Sequence, residues 1–462
     1  MRKSDAVKGK ELDDKKELAV KSTVLKRAIS SLRGSLAGSF GIMIAAVTIA
    51  GLLNYVFSVI MTRMLPEAGA FSSFNSLNAI YLIVIMGAIS FQAVVTKYVA
   101  RFEATGEREK VHVLIRSFSR WLLLAGGAVI LVSIPISWPL ADVLRLDSPV
   151  FVIILGTSVA LALYVTLPYG LLQGEQKFIG LGVAGISAAA LRVVVGVALV
   201  GIGLQVYGAL SAATIAGVIV AGAVVYYYRD IFRGPVERLE DFHPAQALWF
   251  LLPVAAATFL VILMTQIDIV LVRALFKDPR QADIYSYAAL AGKAVMFFPD
   301  GILAVMFPRV SALRARGEPT RRVLALSIIA VSVMVGAVAG FYLLFPSFTG
   351  YFFAGTKGRA SAGIIGLFGI VMAVFALVKL LAMYHLALER KSFIILFAVA
   401  AALEITGIML FHDTLKQVLF VMLFVGTALL ALNLALAFRE KPGKPTEELE
   451  ELEEYYVPPM EG

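Results

Sequence analysis

Residues 361–387, SAGIIGLFGIVMAVFALVKLLAMYHLA, contain one lysine, one histidine and otherwise uncharged, mostly apolar side chains. An α-helix rises about 1.5 Å per residue, and about 20 apolar residues cross the hydrocarbon core of a bilayer. A strand that crosses a bilayer is much shorter and alternates between apolar and polar residues. The stretch therefore predicts a membrane-spanning helix.

Similar runs recur along the 462 residues, of which 60% are apolar and only 16% charged. A soluble chain of this length needs more charge to cover its surface. Because hydrocarbon offers no hydrogen bonds, only helices or a closed barrel can cross it, and the long continuous runs favour helices. We predict an all-α integral membrane protein with about twelve transmembrane helices. The predicted spans are 38–62, 74–96, 118–140, 150–172, 178–203, 206–228, 246–275, 283–306, 324–346, 361–387, 392–411 and 416–438.

The basic residues predict the orientation of these spans. The two tails and the even-numbered connections hold about 30 of the 41 lysines and arginines, which the positive-inside rule assigns to the cytoplasm. The odd-numbered connections hold Arg63, Arg145, Lys277, Arg280, Lys357, Arg359 and Lys416. We therefore expect a multi-pass protein of the cytoplasmic membrane with both termini in the cytoplasm. The net charge of +9 follows from these loops, so it does not indicate nucleic acid binding.

The composition shifts predict five segments. A basic cytoplasmic tail, 1–37, precedes an N-terminal six-helix bundle, 38–228. A polar cytoplasmic linker, 229–245, leads into a C-terminal six-helix bundle, 246–438. The last segment, 439–462, contains a cluster of glutamates between prolines and is predicted to be a solvated acidic tail or, less simply, a site for a partner.

The two predicted bundles share an internal repeat. Arg-x-Leu occurs at 63–65 and 273–275, Ala-x-Gly-Glu at 104–107 and 315–318, and Glu-x-Lys at 175–177 and 389–391. The same order at nearly one offset indicates two homologous halves. Because each half has an even number of helices, the halves are parallel, and we expect two six-helix bundles around a central cavity.

Several stretches resemble polysaccharide flippases of the multidrug/oligosaccharidyl-lipid/polysaccharide exporter superfamily. They are TRMLPEAGAF at 62–71, LLQGEQKF at 171–178, QID at 266–268, YSYA at 285–288 and PRVS at 308–311. The resemblance implies a twelve-helix V-shaped transporter that moves lipid-linked oligosaccharides across the cytoplasmic membrane. It also implies membrane lipid and glycan polymerase or glycosyltransferase machinery as partners.

Two departures from the superfamily bear on the substrate. The drug-antiporter branch usually has a Gly-Gln-Ala-type motif after its second helix, where this chain reads YVARF at 98–102. The lipid II flippase branch usually has two further C-terminal helices, where this chain has its acidic tail. Both departures favour a polysaccharide flippase, and a cation-coupled multidrug exporter remains the alternative.

Three cations lie within predicted spans, where a charge is costly and indicates function. They are Arg192, Lys293 and Lys379. A polyprenyl-linked sugar carries a phosphate or diphosphate, and arginine and lysine bind phosphate. We expect the three cations to line a cavity for this headgroup. The alternative is that they pair with carboxylates within the membrane.

Three carboxylates also lie within spans: Asp268, Asp300 and Glu404. Ionisable groups in the core of a transporter often carry coupling ions, so we expect coupling to H⁺ or Na⁺, with no other cofactor. Asp268 has a second interpretation, as an anchor for the nearby Arg273. Pro253 and Pro299 interrupt helical hydrogen bonding and are candidate hinges.

The sequence contains no phosphate-binding loop and no cysteine, and only four histidines, so it favours a non-enzyme without a metal site. The enzyme alternative is a membrane glycosyltransferase or polymerase. Such an enzyme would be expected to have a large outer loop, whereas the longest predicted outer connection, around 345–361, has about fifteen residues.

Overall fold

The computed structural model describes residues 41–66, 68–232, 244–390 and 392–438, without the side chains of 87, 89, 90 and 244–254. Within these ranges the chain is helical and contains no strand. The helices are α1 (Gly41–Met64), α2 (Ala70–Ala104), α3 (Arg108–Val143), α4 (Val150–Gly174), α5 (Phe178–Leu199), α6 (Gln205–Tyr227), α7 (Pro244–Leu275), α8 (Pro279–Lys293), α9 (Phe298–Ala315), α10 (Arg321–Leu344), α11 (Pro346–Gly358), α12 (Ala362–Ala387), α13 (Phe393–Leu410) and α14 (Leu415–Phe438). A single further turn spans Arg229–Phe232.

Eleven helical stretches in the described chain are long and apolar enough to cross a membrane, and one of them has 50 residues, Phe178–Tyr227. That stretch folds back on itself at a π-helical turn, where Gly203 has φ 96° and Gln205 has φ 39°. Beyond the turn, a Cβ on Gly208 would lie 2.9 Å from the Cβ of Leu199, so α5 and α6 run side by side. Eleven stretches therefore make twelve crossings, which confirms the predicted fold class.

The predicted eighth span is interrupted. It consists of α8 and α9, which are joined by a 3₁₀ turn, Ala294–Phe297. Pro299, a predicted hinge, lies buried in the first turn of α9. Proline has no amide proton to donate to the preceding turn, so the α-helical ladder stops before it. The prediction of one uninterrupted span here is therefore corrected to two helical segments with a break in the middle.

The predicted outer connection around 345–361 contains a helix, α11, which the sequence analysis treats as a loop. Pro346 occupies its first turn, and Gly355 near its end has φ 63°, a left-handed conformation that glycine adopts without strain. The close approach of Gly350 to the carbonyl of Gly358 leaves no space for a side chain. This compact helix covers the outer ends of neighbouring spans.

The helices pack as two bundles. Helices α1–α6 enclose a core that includes Phe57 and Phe74, and helices α7–α14 enclose a larger one that includes Phe368, Phe375 and Phe397. Helix α2 also packs along α7 and α8, so the bundles meet there. The outer side, defined here as the side of the odd-numbered connections, is the side on which the interface between bundles is most polar.

The sequence repeat has a backbone counterpart. Helices α2 and α9 both end at a glycine with positive φ, Gly106 and Gly317. In both, the next amide donates to a carbonyl five residues back, Glu107 to Phe102 at 2.8 Å and Glu318 to Leu313 at 2.9 Å. Helices α4 and α12 also share one ending, with positive φ at Gln176 and Glu389. These paired Schellman endings are what two homologous halves would produce.

Some predictions fall outside the described residues. They include the basic tail, 1–37, the acidic tail, 439–462, and most of the linker, 229–245. Pro253 lies within α7, but its side chain is among those that the structure does not describe. Its role as a hinge stays a prediction.

Candidate functional site

Arg192 lies inside the first bundle, on α5. Its guanidinium donates to Asn54 Oδ1 at 2.8 Å and to Asn78 Oδ1 at 3.2 Å. It also lies over the ring of Phe57, with the guanidinium carbon 4.5 Å from the ring centroid. Its Nε is buried without a hydrogen-bond partner among the described residues. Every neighbour in this set is uncharged, so the positive charge of Arg192 is not balanced by them.

A cavity of about 380 Å³ lies beside Arg192, enclosed by α1, α2, α4, α5 and α6. Its polar lining consists of uncharged side chains apart from the arginine. These are Asn54, Tyr81, Gln92, Ser158, Thr166, Tyr169 and Thr214. A buried guanidinium surrounded by hydroxyl and amide groups can hold an anion such as phosphate, because the arginine supplies charge and a planar pair of donors.

Lys293 lies inside the second bundle, at the end of α8, and it is paired. Its Nζ lies 3.0 Å from Asp268 Oδ1 and 3.1 Å from Gln266 Oε1. The hydroxyl of Tyr285 donates to the other oxygen of Asp268 at 2.9 Å. Asp268 is fully buried, and 15% of the lysine side chain is exposed. The charge of Lys293 is therefore matched within its own bundle.

Glu404, on α13, lies in the same cluster. It is fully buried, and the described residues provide no hydrogen-bond partner for either carboxyl oxygen. Its charge acts electrostatically on Asp268 and Lys293. Two carboxyl groups thus share one ammonium group, and a buried carboxylate without a partner is far more costly than a neutral acid. The arrangement favours one proton on this pair of acids.

Lys379 and Asp300 form a second ion pair in the same bundle, between α12 and α9. The side chain of Asp300 is 51% exposed and that of Lys379 is 22% exposed. The predicted site residues are therefore not brought together around one cavity. Arg192 lies alone in the first bundle, whereas Lys293 and Lys379 pair with Asp268 and Asp300 in the second.

Asn78 and Tyr285 were not selected from the sequence, although each contacts a predicted site residue. Both are polar residues on predicted spans, which is a weak signal because most such residues only join helices. Only the packing of α2 against α5, and of α8 against α7, shows which charge each one faces.

The repeated Arg-x-Leu motif joins the bundles at their outer ends. Arg63, at the end of α1, donates to the carbonyl of Phe352 in α11 at 2.8 Å. Arg273, at the end of α7, donates to the carbonyl of Arg145 at 2.6 Å. Each arginine thus reaches from its own half to the equivalent connection of the other half.

Asp283, near the start of α8, completes this outer interface. Its carboxylate accepts from the backbone amides of Gly69 at 2.6 Å and Ser72 at 2.9 Å, both in the other half. Gly69 has φ 89°, and a Cβ there would lie 3.0 Å from Pro279. Phe71 stacks on Tyr287 beside it, with ring centroids 5.4 Å apart. We call this set of contacts, made by Arg63, Arg273 and Asp283, the outer latch.

No family model matches the sequence, and no curated protein matches it. Solved structures do. One is an inward-facing multidrug resistance MATE family transporter of the MOP superfamily, with a TM-score of 0.71 at 13% identity, covering 90% of this chain and 100% of that chain. Another is the lipid II flippase MurJ in an inward closed conformation, with a TM-score of 0.69 at 11% identity, covering 86% and 87%.

A third similar structure is a MOP superfamily transporter from Pyrococcus furiosus Vc1, with a TM-score of 0.58 at 14% identity, covering 87% of this chain and 94% of that chain. Its description states that the reverse polarity of its binding pocket suggests a different function. At these identities the comparisons establish the fold. The chain has the fold of MOP superfamily transporters.

Proposed function

We propose that this protein is a flippase that moves a polyprenyl-(di)phosphate-linked oligosaccharide across the cytoplasmic membrane by alternating access. The observation that carries the proposal is Arg192, a buried cation with uncharged partners beside a polar cavity of about 380 Å³. The substrate would supply the missing negative charge through its phosphate. Sugar hydroxyls would bind the amide and hydroxyl groups of the cavity.

The alternative is a cation-coupled multidrug exporter. The fold does not decide between the two, since multidrug transporters and a lipid II flippase share it. The polarity of the pocket is the better guide. An exporter of organic cations should present acidic groups to its substrate, whereas an arginine in the cavity repels a cation. The polarity of this cavity favours an anionic substrate.

The outer latch supports alternating access. With Arg63, Arg273 and Asp283 bound to the opposite half, the outer ends of the bundles are held together. Release of a substrate to the outer side would require these contacts to break. We propose that the latch is formed while the protein loads substrate from the cytoplasmic side, with both termini on that side.

For coupling, we propose H⁺ rather than Na⁺, bound by Asp268 and Glu404. The ammonium of Lys293 already provides a positive charge 3.0 Å from Asp268, which leaves little electrostatic room for a metal cation. Glu404, without a hydrogen-bond partner among the described side chains, is the acid that would gain and lose the proton. Asp300, half-exposed and paired with Lys379, is the weaker candidate.

The test is transport in liposomes that contain the purified protein, with a fluorescent polyprenyl-diphosphate sugar or a fluorescent organic cation as the probe. We expect movement of the lipid-linked sugar, a loss of at least tenfold in rate for Arg192→Gln, and partial recovery for Arg192→Lys. Arg120→Gln is the matched control, because it makes the same chemical change at an exposed arginine of α3.

Movement of the organic cation alone would support the exporter instead. An unchanged rate for Arg192→Gln would remove the anion site from the proposal. A rate that does not respond to a pH gradient, or to replacement of Glu404 by glutamine, would remove the coupling part. Glycan polymerase or glycosyltransferase partners follow from the proposed substrate and would be sought by cross-linking in native membranes.

A further inference from the structure

An apolar groove of about 660 Å³ lies between α5 and α6, away from the outer latch. The two helices are in close contact at their outer ends, where Gly208 meets Leu199. Towards their inner ends they line the groove with side chains such as Val183 and Ala223. Val183 is 58% exposed, so the groove opens on the surface that lipid would cover.

The inner end of the groove carries its charge. Lys177 lines the groove there, and its Nζ lies 2.8 Å from Glu175 and 4.9 Å from the ring centroid of Tyr228. The lysine is therefore already neutralised by a carboxylate. The groove offers a hydrocarbon surface with a balanced polar end, which suits an apolar chain rather than a second anion.

The groove continues into the cavity of Arg192. On α5 the groove is lined by Ala184 and Ser187, and the cavity by Gly185 and Ala188, so the two share neighbouring residues of one helix. On α6 the lining passes from Val220 in the groove to Gly217 in the cavity in the same way. The residues at this seam are small. From Ser187 to Arg192 is about 7 Å along a helix axis.

We infer that the groove binds the hydrocarbon chain of the same lipid whose phosphate binds at Arg192. This inference rests on the proposed function. A lipid-linked anion held inside the first bundle must leave its chain in an apolar environment, because hydrocarbon gains nothing from a polar cavity. The α5–α6 seam is the apolar opening that adjoins the arginine. The occupant is therefore a polyprenyl chain, bound at one end through its diphosphate.

The experiment compares the binding of farnesyl diphosphate and inorganic diphosphate to the full chain purified in detergent. We expect farnesyl diphosphate to bind about tenfold more tightly. Replacing Val183 and Ala223 with tryptophan fills the groove and should abolish this preference, while the affinity for inorganic diphosphate stays unchanged. The matched control is Val194→Trp, at a valine of α5 that is 65% exposed and outside the groove.

A single-cysteine reporter gives an independent measurement, because the chain has no cysteine of its own. With Ala223→Cys labelled by bimane, farnesyl diphosphate should shift the emission to shorter wavelength, and inorganic diphosphate should not. Competition by phosphatidylglycerol that is equally strong in the Arg192→Gln variant would overturn the inference, since it would make the groove an ordinary phospholipid site.

Equal affinities for the two ligands, or a preference that survives in the filled groove, would also overturn it. The proposed function fails in a different way. In that case Arg192→Gln would leave the affinities for both diphosphates unchanged, whatever the groove variants do.

Discussion

The two bundles use equivalent helices to build interiors of opposite electrostatic character. In the first, α5 carries Arg192, and its partners Asn54 and Asn78 are neutral amides. In the second, the equivalent α13 carries Glu404, close to the Asp268–Lys293 pair. Descent from one repeat would have placed polar groups at similar depths in both halves. The difference is that one half balances its own charge and the other does not.

The difference suggests a division of labour. A buried charge that is paired within the protein mainly costs or contributes stability, whereas one without an opposite charge is available to a ligand. By this argument the first bundle binds the substrate, and the second carries the proton. The outer latch joins them, and it keeps more of the original symmetry, since Arg63 and Arg273 make equivalent contacts.

The largest expected effect is in the second bundle. Lys293→Ala leaves Asp268 and Glu404 buried without a cation, so we expect a loss of about 3–5 kcal/mol in stability. Thermal unfolding in detergent measures this loss. The matched control replaces Asp268 with asparagine and Lys293 with methionine together, which removes both charges and should restore most of the stability. A single variant as stable as the parent would contradict the paired interior.

The next effect is at the latch. Asp283→Ala leaves the buried amides of Gly69 and Ser72 without their acceptor, at a cost of about 1–3 kcal/mol each to the latched state. We expect the outer side to open more often. A cysteine introduced at Ser76, which is fully buried, should then react several-fold faster with an impermeant maleimide.

The control for the latch is Asp278→Ala. Asp278 caps the same helix by accepting from the amide of Arg280 at 2.9 Å, without contacting the other half through that bond. It should lower stability by about 1 kcal/mol and leave the labelling rate unchanged. Equal labelling in both variants would show that Asp283 does not hold the bundles together.

A smaller change in stability is expected in the first bundle. Arg192→Gln should alter the free energy of unfolding by no more than about 1 kcal/mol, because glutamine can still bond to the amides of Asn54 and Asn78. Binding of a polyprenyl diphosphate should nevertheless fall at least tenfold, measured by titration. If this variant loses as much stability as Lys293→Ala, the two bundles do not differ in the way proposed.

The smallest effect is expected at the half-exposed pair. Lys379→Gln should cost less than about 1 kcal/mol, because partly solvated ion pairs contribute little. Asp300→Asn is its matched partner, and the two losses should not add. A transport defect as large as that of Arg192→Gln, with stability unchanged, would assign Lys379 to the substrate path after all.

Much of the fold was predictable because membrane-spanning helices are determined locally. Each needs only a long apolar run, and α4 (Val150–Gly174) and α12 (Ala362–Ala387) begin within one residue of their predicted starts. The break between α8 and α9 was less visible, since a proline near mid-span permits either a kink or an interruption. The helix α11 was missed because its run is short and contains glycines.

The site was predictable only in part. Charged residues within apolar runs identified Arg192, Lys293, Asp268 and Glu404 as candidates, because their burial is costly wherever they face. Their pairing was not predictable. Lys293 and Asp268 are separated by 25 residues on two helices, and nothing in the local sequence indicates that their side chains meet at 3.0 Å.

The sequence by itself determined the class of protein, the spans, the two related halves and the list of costly charges. These follow from hydrocarbon thickness and from the cost of burying a charge, which act on each segment separately. Tertiary structure decided which charges neutralise each other, which one stays beside a cavity, and how the outer ends are joined. Those outcomes depend on distances of a few ångströms between helices far apart in the chain, where electrostatic and hydrogen-bond energies change most steeply.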